Sequence, residues 1–164
     1  MVSLQPIAVD DTEAHAMLDE YFRARADGFA VQAKAYTATF PDPAVFTPPA
    51  GVFLLVRDDD GRAVGCGGIR RIADGERGPR WEVKHLYLHP STRGRGWGRV
   101  LIDDLERRAA EAGGTELVLD THHSLEAAAG LYRAAGFDTI PQFNDNPNAT
   151  RWYGKTISRP GDAQ

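Results

Sequence analysis

Cysteine is nearly absent from the chain, which has one such residue among its 164 positions. A single thiol, Cys66, cannot form an intramolecular disulfide, and it cannot supply a cluster of thiolate metal ligands. It lies in an apolar, glycine-rich stretch (residues 64–69), where a buried core residue is favoured over a nucleophile. The near absence of cysteine suits a reducing compartment, and we expect a soluble, cytoplasmic protein.

Long apolar runs and an excess of positive charge are also missing. No stretch approaches the roughly 18 apolar residues of a membrane span, and no basic segment followed by an apolar one opens the chain. The net charge is −4, whereas dedicated nucleic-acid-binding domains are usually basic. Metal-ligand spacing such as His-Glu-x-x-His does not occur. We therefore expect no membrane, no nucleic acid and no metal as partners, and we leave a homodimer open.

The chain does have an ordinary globular composition, with 42% apolar and 26% charged residues. Its length fits one domain, which we predict over residues 1–157, followed by a frayed tail at 158–164. Apolar spacing and turn residues predict the order β-α-β-β-β-α-β-α-β-β. This order is typical of a mixed sheet with helices on its faces, which is α+β or α/β by class.

Capping residues predict where the helices begin and end. The first helix follows an N-cap among residues 10–12 and ends at Gly28, whereas the third begins at a Ser124 cap and ends at Gly136. The second ends at glycines 113 and 114. Its buried stripe is predicted from helical spacing to contain Leu101, Leu105, Ala109 and Ala112. The same spacing predicts the apolar stripe of the first helix, formed by Ala14, Met17, Leu18, Tyr21 and Phe22, and the inner face of the third, formed by Leu125, Ala128, Ala129 and Tyr132.

The most informative stretch is residues 86–99, LYLHPSTRGRGWGR, which predicts a strand, a tight glycine turn and a helix. Main-chain N–H groups at a helix N-terminus lack internal partners, and the helix dipole makes that end positive. Glycines let an anion approach the backbone without an intervening Cβ. The turn therefore predicts a phosphate-binding site. Its candidate residues are Arg93, Gly94, Arg95, Gly96, Trp97, Gly98 and Arg99.

Two common phosphate-binding motifs do not fit this turn. A P-loop requires Gly-Lys-Ser/Thr at its end, but Gly98 is followed by arginine and valine. A dinucleotide-binding G-x-G-x-x-G motif lacks its last glycine, whether it is counted from Gly94 or from Gly96. The pattern that remains is Arg-x-x-Gly-x-Gly, formed by Arg93, Gly96 and Gly98.

This pattern, following a Leu-Tyr-Leu-His-Pro strand, resembles the acyl-CoA motif of the GNAT superfamily of N-acetyltransferases. Residues 127–137, AAAGLYRAAGF, are similar to the later helix of that family, which has alanines, Leu-Tyr and then Gly-Phe. The resemblance spans roughly residues 51–157. It implies a central, mostly antiparallel, splayed sheet of about seven strands with helices on both faces, and it implies acetyl-CoA as the co-substrate.

The resemblance also implies roles for particular residues. In the family, the strand before the turn separates from its neighbour, and its main chain pairs with the pantetheine arm. Leu86 and Leu88 occupy those positions. Tyr132 matches the general acid that protonates the leaving thiolate, although a packed aromatic ring with a locally bonded hydroxyl is the alternative. Glu82 matches a glutamate that acts as the general base, directly or through water, although an ion pair with Lys84 would explain it equally well.

One departure from the family concerns the start of the later helix. Many relatives carry an asparagine there that contacts CoA, whereas this chain has His122, His123, Ser124 and Leu125 in that region. Ser124 is a candidate substitute, although an N-cap role would be sufficient to explain it. Either histidine is a candidate proton relay, since an imidazole titrates near neutral pH, although an ordinary surface or core position would be sufficient to explain each.

The predicted function is therefore transfer of an acetyl group to an amine of a small molecule or an amino acid, by direct attack in a ternary complex. The alternatives are acetylation of proteins or peptides and a non-catalytic acyl-CoA sensor. The presence of both Glu82 and Tyr132 favours catalysis. In this family variable loops form the acceptor pocket, and the resemblance makes residues 40–51 and 141–147 its candidates here. The acceptor itself, the preferred acyl length and the oligomeric state do not follow from the sequence.

Overall fold

The helices and strands follow the predicted order. The computed structural model describes residues 1–30 and 39–157, so the predicted tail at 158–164 lies outside the described residues. A 3₁₀ turn, Pro90–Thr92, precedes the second helix. The elements are β1 (Ser3–Pro6), α1 (Thr12–Ala30), β2 (Gly51–Arg57), β3 (Ala63–Gly75), β4 (Gly78–Leu88), α2 (Trp97–Glu111), β5 (Glu116–Thr121), α3 (Glu126–Ala134), β6 (Asp138–Thr139) and β7 (Arg151–Thr156).

The strands form one seven-stranded sheet in the order β1-β2-β3-β4-β5-β7-β6. Strands β4 and β5 are parallel, whereas β1 with β2, β5 with β7 and β6 with β7 are antiparallel. A parallel pair requires a crossover connection, and α2 provides it. The sheet and its helices confirm the α+β prediction.

The chain divides into two compact units. The first contains Met1–Gly68 and His85–Trp97, and the second contains Ile69–Lys84 and Gly98–Gln164. Strands β3 and β4 each contribute residues to both units. The prediction of a single domain over residues 1–157 stays a prediction.

The core of the first unit joins α1 to β2 and β3. Ala14, Met17, Leu18 and Phe22 of α1 pack in one cluster with Phe53, Leu55 and Cys66. This confirms the apolar stripe expected from helical spacing. The predicted end at Gly28 is wrong, because α1 continues to Ala30. A glycine inside a helix costs only about 1 kcal/mol, so it does not end a helix whose preceding turns are well packed.

The core of the second unit includes one side of α2. Leu101, Ile102, Leu105 and Ala109 are buried there. The predicted burial of Ala112 is wrong, because α2 ends at Glu111 and the following alanine is exposed. The glycine end itself is confirmed. Gly113 has φ +87°, and a Cβ at Gly114 would lie 2.6 Å from Cδ1 of Trp81.

Cys66 is a core residue, as predicted, with no exposed surface. Burial raises the pKa of its thiol, with a smaller contribution from Glu20. Because thiol reagents react with the thiolate, we expect a disulfide-exchange reagent to modify the native chain at least ~10-fold more slowly than the unfolded chain. The rates are compared by absorbance with and without denaturant. Equal rates would contradict the buried position.

Candidate active site

The start of the glycine turn is held by hydrogen bonds around His89. The main-chain N–H of His89 donates to the Val64 carbonyl at 2.8 Å. Its Nδ1 accepts from the Ser91 N–H at 3.2 Å, and the Thr92 hydroxyl donates to the His89 carbonyl at 2.7 Å. These bonds fix the direction in which the chain leaves β4, and therefore the place where the turn begins.

The turn itself has the open backbone that an anion requires. Gly94 and Gly96 have φ values of +82° and +79°, and an ideal Cβ at either would meet no described atom within 4 Å. Glycine adopts this conformation without strain. Arg93 and Arg95 are exposed beside it, and the Arg95 guanidinium lies 5.1 Å from the centre of the Trp97 ring. The residues fit a phosphate group, because open main chain and positive charge occur together.

The helix that follows the turn begins at Trp97 and includes Gly98 and Arg99. The Arg99 guanidinium donates to Asp103 at 2.9 Å and to the Ala134 carbonyl at 2.9 Å. In this structure Arg99 therefore joins α2 to the end of α3. A role for Arg99 in holding a cofactor stays a prediction.

The half-buried Leu86 and Leu88 lie at the end of β4. A Cβ at Gly65 would lie 2.6 Å from Cδ2 of Leu88, so this leucine side chain has a packing role. Just before Leu86, His85 has the left-handed φ of 57°, which is uncommon for a residue with a Cβ. Its carbonyl accepts from the Cys66 thiol at 3.2 Å. The sequence pattern did not predict this left-handed residue within the strand.

The ladder between β4 and β5 is short. It pairs residues 80–82 with residues 116–118, and both strands continue beyond it. A ladder that stops while both strands continue is expected of a splayed pair. Glu82 is the last residue of β4 in this register.

Glu82 is enclosed by polar partners of the second unit and is only 1% exposed. Arg70 Nε on β3 donates to its Oε1 at 2.8 Å. Asn144 Nδ2, in the segment before β7, donates to its Oε2 at 3.2 Å. The Lys84 ammonium lies 3.8 Å from the same Oε2. The predicted neighbour Lys84 is therefore present, but Arg70 makes the closer ion pair.

Asp120, on β5, belongs to the same cluster, and its side chain is 7% exposed. Asn144 Nδ2 donates to its Oδ2 at 2.6 Å, and Asn146 Nδ2 donates to its Oδ1 at 3.1 Å. Lys84 Nζ lies 3.5 Å from Oδ2. We call Arg70, Glu82, Lys84, Asp120 and Asn144 the carboxylate cluster. The sequence patterns did not assign Arg70 or Asp120 to a site, and they indicated Asn144 only as part of a loop, residues 141–147, that is a candidate for the acceptor pocket. The one available signal was a charged residue directly after the apolar run of β5.

Tyr132 lies on α3 and is 6% exposed. Its ring centre is 6.0 Å from that of Phe137 and 5.9 Å from that of Tyr153. This confirms the predicted position on the inner face of the helix. A tyrosine buried in this way usually places its hydroxyl against a polar partner. Its role as an acid stays a prediction.

Ser124 does not cap α3 as predicted. The N-cap position is Leu125, which makes no side-chain capping bond. The Ser124 hydroxyl instead lies 2.6 Å from Nδ1 of His122, an acceptor two residues earlier that competes with the helix N-terminus. His122 is buried at 3% exposure, and its ring stacks on His123 with centroids 4.3 Å apart.

Neither a cluster of metal-ligating side chains nor a membrane-spanning helix occurs among the described residues. Within residues 1–30 and 39–157, no set of three or more His, Cys, Asp or Glu side chains is arranged to hold a metal ion. In the same ranges, no helix combines the length and apolar character needed to cross a membrane.

The chain is similar in sequence to known acetyltransferases. The Acetyltransferase (GNAT) family model matches residues 13–137. An uncharacterized N-acetyltransferase of Schizosaccharomyces pombe is 34% identical over 103 residues, which are 62% of this chain and 61% of that protein. The IAA acetyltransferase of Azospirillum brasilense is 37% identical over 84 residues, which are 51% and 53% of the two chains. The chain thus covers less than two thirds of the length of either relative.

Solved structures agree in fold. A GNAT-family acetyltransferase of Staphylococcus aureus has a TM-score of 0.76 at 16% identity, covering 96% of this chain and 100% of that one. A phosphinothricin acetyltransferase of Sinorhizobium meliloti, solved in complex with AcCoA, has a TM-score of 0.71 at 18% identity, with 95% and 88% covered. The fold, the glycine turn and the family match over most of the sequence lead to one conclusion: the chain belongs to the GNAT family of acetyltransferases.

Proposed function

We propose that this chain transfers an acetyl group from acetyl-CoA to the amine of a small molecule or an amino acid. The observation that carries the proposal is the turn before α2, where two left-handed glycines leave open main chain beside exposed arginines. Membership of the family supports acetyl transfer. The fission-yeast relative, named an N-acetyltransferase, supports nitrogen as the acceptor atom.

The turn would bind the phosphates of CoA through its main-chain N–H groups and the side chains of Arg93 and Arg95. The main chain at Leu86 and Leu88 would pair with the pantetheine arm as an added strand does. A main-chain N–H group near Leu86 would polarise the thioester carbonyl of acetyl-CoA. When bound, acetyl-CoA supplies an activated thioester, which the amine attacks directly in a ternary complex.

Glu82 would accept the proton that the amine must lose, since an ordinary ammonium has a pKa near 10. Its partners Arg70 and Asn144 hold the carboxylate in one orientation, which is what a base must have before a substrate arrives. Tyr132 would protonate the departing thiolate, because a phenol is an adequate donor for that anion. The two residues together supply the proton transfers of the reaction.

The proposal is tested by incubating the protein with acetyl-CoA and a panel of amines. The panel contains amino acids, polyamines, aromatic amines and short peptides. Release of free CoA thiol together with a mass increase of a small amine is expected. Product formed from peptides alone would indicate peptide acetylation. Binding of CoA without thiol release from any acceptor would indicate a sensor and would overturn the proposed activity.

A further inference from the structure

We infer that Asn144 positions the Glu82 carboxylate, and that it does so by bridging Glu82 to Asp120. The inference rests on the proposed function, in which Glu82 is the base. It assigns a role to the segment before β7, which lies outside the two motifs that carry the family resemblance.

The orientation of the Asn144 amide follows from its donors. Oδ1 accepts from the Trp152 indole N–H at 2.9 Å and from the Asn146 main-chain N–H at 3.3 Å. Both of these groups only donate, so the atom that faces them must be the oxygen. The amide nitrogen therefore points the other way, toward the carboxylates.

That nitrogen carries two hydrogens, and the structure gives each one an acceptor. Nδ2 lies 3.2 Å from Glu82 Oε2 and 2.6 Å from Asp120 Oδ2. The residues that it joins are 62 and 24 positions away in the sequence. A single side chain thus fixes one oxygen of each carboxylate, and through Trp152 it is anchored to β7.

The surroundings of Glu82 make the Asn144 amide the main hydrogen-bond donor to one of its two carboxylate oxygens. Glu82 is 1% exposed, so solvent does little to stabilise its ionised form, and hydrogen bonds must do so instead. Arg70 satisfies Oε1 at 2.8 Å, whereas the Lys84 ammonium, at 3.8 Å, is beyond hydrogen-bond length from Oε2. The short contact to Oε2 comes from Asn144. Asp120 adds a negative charge nearby, and Lys84 and Arg70 add positive ones.

The test compares pH–rate profiles of kcat/KM for wild type, Asn144→Ala and Asn144→Asp with the best amine of the panel. Loss of the donor weakens stabilisation of the carboxylate, so the acidic limb of the profile should move to higher pH by about one unit in Asn144→Ala. It should move further in Asn144→Asp, which places an added negative charge beside the pair. At a pH below the wild-type limb, this shift corresponds to roughly a tenfold loss of rate.

Gln142→Ala is the matched control. It removes a 2.7 Å hydrogen bond from Gln142 Nε2 to the Asn144 carbonyl, so it loosens the same segment and keeps the amide bridge. The acidic limb of its pH–rate profile is expected at the same pH as in wild type. An acidic limb that does not move in Asn144→Ala, or that moves equally in Gln142→Ala, would overturn the inference. The profiles are repeated with two acceptors of different amine pKa. A limb that moves with the acceptor belongs to the substrate, and a limb that stays in place belongs to the enzyme.

A second readout does not depend on activity. The ¹³C signal of the Glu82 carboxyl carbon, assigned by its loss in Glu82→Gln, is titrated in wild type and in Asn144→Ala. An upward shift of the midpoint in the variant is expected, and an identical midpoint would refute the bridge. If no amine is acetylated but the midpoint moves, the proposed function fails while the positioning by Asn144 is upheld. Melting temperatures show that each variant is folded.

Discussion

Replacing Tyr132 with phenylalanine is expected to lower turnover by about 10²–10⁴-fold, the usual contribution of a general acid. The structure makes this a clean substitution. The ring packs against Phe137 and Tyr153, and phenylalanine keeps the ring while removing the hydroxyl. Cofactor affinity, measured by the thermal shift with CoA, should change little. The measurement is kcat under saturating acetyl-CoA, with a single-turnover experiment to show that chemistry limits the rate.

Tyr153→Phe is the control for Tyr132→Phe. Tyr153 is 3% exposed and belongs to the same aromatic contact, so the change in chemistry and surroundings is closely matched. Turnover in this variant should stay near that of wild type. An equal loss in both variants, or no loss in Tyr132→Phe, would return Tyr132 to a packing role, and the acid would then have to be sought elsewhere.

Substituting Gly96 with aspartate is expected to abolish stabilisation by CoA. At a ligand concentration about 100 times Kd, wild type should gain about 2.7 kcal/mol, or roughly 5–10 °C in melting temperature for a chain of this size. The aspartate places a carboxylate where open space lies beside the turn, and like charge repels a phosphate. Thermal denaturation with and without CoA measures the loss.

Gly61→Asp separates the effect on binding from backbone strain. Gly61 lies in the turn between β2 and β3 with φ +80°, against +79° at Gly96, and neither would bring a Cβ within 4 Å of a described atom. Both variants therefore introduce the same charge at the same kind of position. Gly61→Asp should lose a similar amount of intrinsic stability but keep the full thermal shift. A shift retained in Gly96→Asp would remove the basis for assigning the cofactor site.

The features that were predictable from the sequence depend on neighbours in the chain. The turn at residues 93–98 could be recognised because a glycine-rich connection between a strand and a helix exposes main-chain N–H groups whatever surrounds it. The burial of Tyr132 followed from its helical spacing. The predicted N-cap of α3 was wrong for a local reason as well. The Ser124 hydroxyl lies 2.6 Å from the imidazole Nδ1 of His122, and this contact competes with the cap.

The carboxylate cluster shows what the tertiary structure alone decided. By itself, the sequence determined that a carboxylate, Glu82, stands on the strand that leads into the glycine turn, and so determined which chemistry was available. Its hydrogen-bond partners come from β3 and from the segment before β7, and Asn144 also joins it to Asp120 on β5. No periodicity connects residues 62 positions apart. Strand order and register bring them together, because a charge can be buried only where packing also assembles its partners.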